Sequence, residues 1–333
     1  MNIFITLDYE LFFGKNSGSC EKCIIEPTNA LLKIVDLYQI KFTCFVDAGY
    51  LVRLNNQKDE FPQLAKDWNR ITDQIKYLSA NGHGIELHVH PHWEDSFFNG
   101  KEWIFDTSRY KLSDFSEEKI LDIITRYNSI LKEITDIAPV AFRAGGWCAQ
   151  PFKKIKKALE ANNIFIDSTV YPNGLYKSEH QFFDFSRVSQ FSTQYRFSED
   201  LTVEDPNGKF TEIPISSIKV NPWFFWRFVI IKIFKKKKHI PYGNGNAISL
   251  SKKQIIRLLS KSSYSVVSID GFKASYILRA FKKYQKNTDK DGNFVLIGHP
   301  KSFTPYSLYK VKQFIKTSAK INNYTTYREL FKN

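Results

Sequence analysis

Short β-rich apolar runs alternate along most of this chain with stretches whose apolar residues recur at helical spacing. Five of the β-rich runs end at a side chain able to bind a metal or move a proton. This rhythm argues for a parallel sheet, open or closed into a barrel, because parallel neighbours need a crossover connection and that crossover is usually a helix. The predicted strands are 2–7, 41–46, 84–88, 139–142, 164–166, 265–269 and 293–297. The predicted helices are 29–38, 67–81, 116–135, 151–162, 251–261, 276–284 and 305–319. In an α/β barrel the carboxyl ends of the strands gather at one face, and the site is built there. Asp8 ends the first run, with Glu10 two residues on, and His88 ends the third, followed by His90 and His92. Arg143 and Asp167 end two more, and the last run leads to His299.

A chain of 333 residues suits one α/β barrel, and no linker separates two units, so residues 1–333 are expected to form a single domain. The rhythm breaks between about 182 and 245, an aromatic stretch holding Pro206, Pro214, Pro222 and Pro241. That stretch is expected to be an insertion packed on the main body.

Four of the seven histidines fall within His83–His92. Two histidines at i and i+4, passing from a strand end into a loop, can converge on one ion. A carboxylate from another strand end would complete three ligands and leave a position open for water. Such an ion lowers the pKa of bound water from about 15.7 towards roughly 7 and polarises a carbonyl oxygen. Asp8 beside it could take the proton, and Arg143 is the candidate to pair with Asp8. His299, held between Gly298 and Pro300, could protonate a departing amine, an effect worth on the order of 10²–10⁴ in rate.

These residues resemble the motifs of the polysaccharide deacetylase, or NodB-homology, family. Thr6-Leu7-Asp8-Tyr9-Glu10 looks like a divergent form of its first motif, and Gly82 through His92 is similar to the second. Lys41–Val46 is similar to the strand between them. Arg143-Ala144-Gly145-Gly146-Trp147 resembles the third motif, Asp167-Ser168-Thr169 is matched to the fourth, and Ile297-Gly298-His299-Pro300 resembles the last. The resemblance covers roughly residues 2–303. It implies a distorted (β/α) barrel with an incomplete strand count. It also implies Asp8 as base, Glu10, His88 and His92 as ligands of a divalent metal (zinc the expected one), and Arg143 as brace of the base. His299 would be the acid, Asp167 a further catalytic group, and the backbone N–H near Gly146 would face the oxyanion. His90, Trp93, Gly146 and Trp147 are expected at the substrate groove, unless His90 simply packs against Trp93. Tyr9 stands where the common first motif has a second Asp. The nearest likeness is to the branch associated with bacterial surface-polysaccharide and O-antigen assembly, which implies an N-acetylated glycan or its lipid-linked precursor as substrate.

Two other functions fit parts of this pattern less well. Other metallohydrolases, phosphoesterases or amidohydrolases, often carry a His-x-His pair on the first strand, whereas His88-Val89-His90 lies on the third. A non-catalytic carbohydrate-binding relative would be signalled by loss of Asp8, Arg143 or His299, and all three are present.

The formal charge of +14 favours anionic partners or serves solubility alone. Its residues are scattered and no nucleic-acid-binding module is recognisable, which disfavours nucleic acid. Residues 222–239 combine two tryptophans, an apolar body and a four-lysine run. They are too short and charged to span a bilayer, but suit a membrane interface or, alternatively, a buried element with a solvated basic tail. Cys20-Glu21-Lys22-Cys23 is a lone CxxC, so the four cysteines are expected as free thiols. The amino terminus lacks a basic leader, and the expected location is cytoplasmic, with peripheral contact at the inner face of the membrane.

Overall fold

The computed structural model describes residues 1–234, 236–248 and 251–331, with residue 232 described in its backbone only. Eleven strands position the site: β1 (Asn2–Tyr9), β2 (Thr43–Asp47), β3 (Gly84–Val89), β4 (Ala141–Ala144), β5 (Ile166–Asp167), β6 (Tyr195–Phe197), β7 (Phe210–Glu212), β8 (Ser217–Val220), β9 (Ser263–Val266), β10 (Asn293–Gly298) and β11 (Asn323–Tyr324). The main sheet runs β6-β7-β5-β4-β3-β2-β1-β10, with β11 also paired to β1. Its pairs are parallel except β6 with β7. Around it lie α1 (Glu26–Val35), α2 (Ala48–Gln57), α3 (Pro62–Ala80), α4 (Glu117–Thr135), α5 (Lys153–Ala161), α6 (Pro222–Phe234), α7 (Lys252–Ser260), α8 (Ile277–Asn287) and α9 (Pro305–Ser318). The fold is a distorted, incomplete (β/α) barrel.

Closure is made by backbone beyond the named strands. The chain after β7 stays beside β5, with Ile213 N–H donating to Asp167 O at 2.9 Å and Ile215 N–H to Val170 O at 2.8 Å. Ser216 then reaches the opposite edge: its N–H donates to Val295 O at 3.1 Å, and its hydroxyl accepts from Val295 N–H at 3.0 Å. The sheet thus curls until its two sides meet. Because strand side chains alternate, Phe4, Thr6 and Asp8 share the inward face of β1. Phe4, Phe45, Ala141, Ile166, Ile213, Val295 and Ile297 pack together inside, sealed by Tyr327. The larger apolar cluster lies between sheet and helices. The interior is therefore oily at the amino ends of the strands and polar at their carboxyl ends.

One predicted helix begins earlier than expected, and one helix lies where none is expected. The helix predicted over 67–81 starts at Pro62, a residue whose fixed φ suits the first turn. No helix was predicted over Ala48–Gln57, which follows β2 with no turn signal between them. The irregular stretch near 182–245 is not uniform. Its first part supplies β6 and β7 to the barrel, while α6 lies outside it; Lys235, in the four-lysine run, is outside the described residues. Among the described residues, no helix is long and apolar enough to cross a membrane. All four cysteines are buried and free.

Candidate active site

Asp8 and Glu10 leave the end of β1, His88 ends β3 with His90 just beyond, and Arg143 lies on β4. All five are buried, and they line one cleft of about 300 Å³ with His299, Gly146 and Trp147. Arg143 Nη1 donates to Asp8 Oδ1 at 2.6 Å and to Thr6 Oγ1 at 3.0 Å. Its Nε and Nη2 donate to the Ser168 carbonyl and hydroxyl, and its guanidinium lies 4.0 Å over the Phe45 ring. The arginine is thereby fixed on every side, and it holds Asp8 through one oxygen. Asp8 Oδ2 faces His299 Nε2 at 3.6 Å and His88 Nε2 at 3.9 Å.

A second centre forms around Glu10. Its Oε2 lies 2.7 Å from His90 Nε2 and 3.3 Å from His88 Nε2, yet lacks hydrogen-bond geometry to any partner. Among the described residues, Glu10, His88 and His90 are the one group of three whose donor atoms converge as a cation would require. His88 Nδ1 meets the Arg143 carbonyl at 2.9 Å. A carbonyl only accepts, so Nδ1 carries a proton and Nε2 faces the cluster; burial works against a charge on this ring, but Asp8 and then Glu10 outweigh it and raise the imidazole above its ordinary value. Burial pushes the His90 imidazole down to about 4, which keeps it neutral, as a ligand must be. Burial alone would raise Glu10; the Lys301 ammonium and then His90 more than offset it and hold the carboxyl well below its usual range. One carboxylate with an orphaned oxygen and two imidazole nitrogens turned towards it fit a divalent transition metal such as zinc, whose binding would displace any proton on His88 Nε2.

His92, expected as the second histidine ligand, is not brought into this group; His90 is. The backbone at His90 is still extended (φ −107°, ψ 97°), so His88 and His90 project from the same face two residues apart. Pro91–Glu94 then forms a tight 3₁₀ turn that carries His92 away. The His92 ring stacks on Trp93 and Tyr110 and meets Phe13 at 4.6 Å, and neither ring nitrogen has a hydrogen-bond partner. Trp93 is likewise behind the wall: its indole N–H donates to Asp47 Oδ2 at 2.6 Å, and its ring stacks on Tyr50.

Asp167 also lies off the cleft. It is fully buried, its carboxylate accepts from Thr169 N–H at 2.7 Å, and it shares a hydrogen bond with Glu212 on the adjacent strand. Thr169 in turn accepts from Ala144 N–H at 2.9 Å. Asp167 therefore props the loop that follows Arg143 from behind. In that loop Gly146 has φ +59°, and an added Cβ there would meet the Tyr110 ring at 2.7 Å. A Cβ on Gly145 would meet the His90 ring at 2.5 Å. Both glycines let the loop lie against the aromatic wall.

Two site residues escaped the sequence reading. Asp270 Oδ2 accepts from His299 Nδ1 at 2.8 Å, and its Oδ1 accepts from His299 N–H at 2.8 Å. Burial works against the charge on His299, but Asp270, then Asp8 and Glu10, outweigh it and leave the imidazole above its ordinary value. Asp270 follows a predicted strand directly, so the rule that found Asp8 applies to it too. Lys301, two residues past His299, donates to Glu10 Oε1 at 3.0 Å and also to the Leu11 carbonyl, between the rings of Phe12 and Phe13.

Residues 21–163 match the family model described as polysaccharide deacetylase. No curated protein matches. Among solved structures, a protein from Mycobacterium smegmatis carrying the provisional description polysaccharide deacetylase is 16% identical, with a TM-score of 0.51 over 99% of this chain and 88% of that one. At that identity the likeness concerns the fold alone. A family 4 acetyl xylan esterase from Clostridium thermocellum, solved with a cobalt ion, is 13% identical at a TM-score of 0.40, covering 99% and 90%. PuuE allantoinase is 13% identical at 0.48, covering 99% and 88%. The segment from α1 through β3 to α5 thus matches the polysaccharide deacetylase family, and the motif residues of β1, β3, β4 and β10 gather at one end of the barrel.

Proposed function

We propose that this chain is a metal-dependent deacetylase that removes the acetyl group from an N-acetylated sugar of a bacterial surface polysaccharide or its lipid-linked precursor, acting in the cytoplasm. The observation that carries the proposal is the convergence, in one cleft, of a carboxylate braced by arginine, a three-donor cation group and a carboxylate-backed histidine. Glu10, His88 and His90 would hold the cation. When bound, it would supply Lewis acidity towards the acetyl carbonyl and acidify water.

The chain's own groups do the rest. Arg143 occupies Asp8 Oδ1 and leaves Oδ2 to take a proton from the attacking water. The Gly146 backbone and Trp147 form the wall against which the acetyl group is seated. Asp270 fixes His299 with its proton on Nδ1 in the neutral ring, and when the ring is charged Nε2 also carries a proton towards the cleft. Attack of water on the carbonyl breaks the C–N bond. The water proton goes to Asp8, the Nε2 proton of His299 goes to the leaving nitrogen, and acetate and a free amine result.

Purified protein incubated with N-acetylated oligosaccharides and lipid-linked precursors should release acetate. A chelator should stop it and zinc restore it, and Asp8→Asn should abolish it. Absence of acetate across that panel, or hydrolysis of a generic phosphate ester instead, would overturn the assignment.

A further inference from the structure

We infer that the outer face of α6 and α7 is a docking surface for an anionic membrane. Within the deacetylase reading, it would bring the cleft to a glycan carried on a lipid.

Three observations lead there. The first is a stripe. Trp223, Trp226, Ile230 and Ile233 recur at helical spacing along α6, and all are exposed, Ile233 by 69%. The opposite side of the helix is anchored by Phe224, which is buried and stacked on Phe272. An apolar stripe at this spacing ordinarily faces a core; here it faces outward. Phe234 (69%) and, on α7, Ile256 (65%) widen it. The two helices are joined through Trp226 Nε1, which donates to Leu259 O at 3.0 Å.

The second is charge. Eleven lysines and arginines, and no aspartate or glutamate, stand between Glu212 and Asp270. Arg227, Lys236, Lys237, Lys238, Lys252 and Lys253 are exposed beside the apolar stripe. Tryptophan, aliphatic residues and lysines together match the acyl boundary and headgroup layer of a bilayer. The same charges disfavour a second copy of this chain as the cover, since a twofold contact would set like charges against each other. Nucleic acid would satisfy the lysines but not the stripe.

The third is position. The segment after α6 runs along the rim of the cleft. Tyr242 and Gly243 N–H groups donate to the carbonyls of Phe303 and Lys301, and Asn246 exchanges backbone bonds with Gly14 and Asn16. Ala247 and Ile248 line the cleft itself, and Ile240 and Ile248 are exposed. The apolar surface therefore reaches the mouth of the site.

The full chain should co-sediment with vesicles of phosphatidylglycerol and phosphatidylcholine at low salt, but not with phosphatidylcholine alone, and added salt should release it. Lys236→Glu with Lys237→Glu and Lys238→Glu should lower partitioning by about a hundredfold. Ile233→Ser with Phe234→Ser and Ile256→Ser should do the same by removing the buried apolar area. Both triple variants should release acetate from a soluble N-acetylated oligosaccharide at the unaltered rate, which reads the chemistry separately from the docking. No binding to anionic vesicles, or binding unchanged in both variants, would overturn the inference. So would a dimer in solution that the serine variant converts to a monomer.

Discussion

Glu10 divides its oxygens between different partners: Oε1 accepts from the Lys301 ammonium, and Oε2 faces His88 and His90. In the absence of a bound cation, Lys301 is the buried charge that balances this carboxylate. Removing one partner of such a pair leaves the other uncompensated and costs about 3–5 kcal/mol. Lys301→Met should therefore lower the melting temperature of the metal-free protein, and zinc should raise it by more in the variant than in the wild type, because the cation takes over the neutralising role. Equal zinc shifts in the two proteins would refute this. His299 gives the second residue-scale expectation. His299→Ala should cost on the order of 10²–10⁴ in rate. Asp270→Asn should cost less but move the pH profile. Asp270 raises the imidazole, so the acid form persists further up the pH scale in the wild type. Without it, His299 loses its proton at lower pH, and the alkaline limb of kcat/KM should shift down. A limb that stays in place would mean His299 is not the titrating acid.

Among the elements, β5 and β7 carry a buried carboxyl pair whose purpose is mechanical. Burial, then the Asp167 charge and hydrogen bond, raise Glu212 well above its ordinary value, and burial likewise raises Asp167. The pair thus retains a proton in the folded protein that the unfolded chain gives up. Where the folded value is raised, the unfolded state binds fewer protons, so this pair's contribution to stability falls as pH rises above the usual carboxylate range. Glu212→Gln keeps a hydrogen-bond donor to Asp167 and should be within about 1 kcal/mol of wild type near neutrality, with that fall diminished. Glu212→Ala leaves a void and strands Val170 N–H, which donates to Glu212 Oε1 at 3.2 Å, and should cost about 2–4 kcal/mol. Denaturant titrations across pH would read both. The same scale explains what was legible in the sequence. Strand ends marked Asp8, His88, Arg143 and His299 because a buried apolar run stopping at a polar residue is a local signal. The i, i+4 spacing points to His92, whereas the backbone places His90 beside Glu10 and His88. The strand period of two persists through His90, and the turn begins only at Pro91. Asp167 satisfied the strand-end rule but lies behind the wall, since the rule locates an end of a strand and not which way its side chain points.

At the scale of the whole molecule, barrel closure depends on contacts between residues far apart in sequence, which is why composition and periodicity could imply a barrel but not show what seals it. Ser216 closes the curl at the side, and Tyr327, near the carboxyl end of the chain, seals the bottom. The Tyr327 ring lies 4.9 Å from Phe4 and 5.3 Å from Phe45, and its hydroxyl meets Ser168 Oγ at 2.6 Å. Ser168 holds Arg143, and Arg143 holds Asp8. A single chain of contacts therefore runs from the floor of the barrel to the proposed base. The two halves of the tyrosine should separate experimentally. Tyr327→Ala opens a cavity beneath Phe4 and Phe45 and should destabilise the fold by about 3–5 kcal/mol. Tyr327→Phe keeps the packing but frees the Ser168 hydroxyl, so its stability should fall by only about 1 kcal/mol. If the floor positions the base through Ser168 and Arg143, Tyr327→Phe should lower kcat more than it raises KM, although Tyr327 touches no part of the cleft. A Phe variant with wild-type kcat would show that the barrel floor supports the fold alone and that Arg143 is fixed without it.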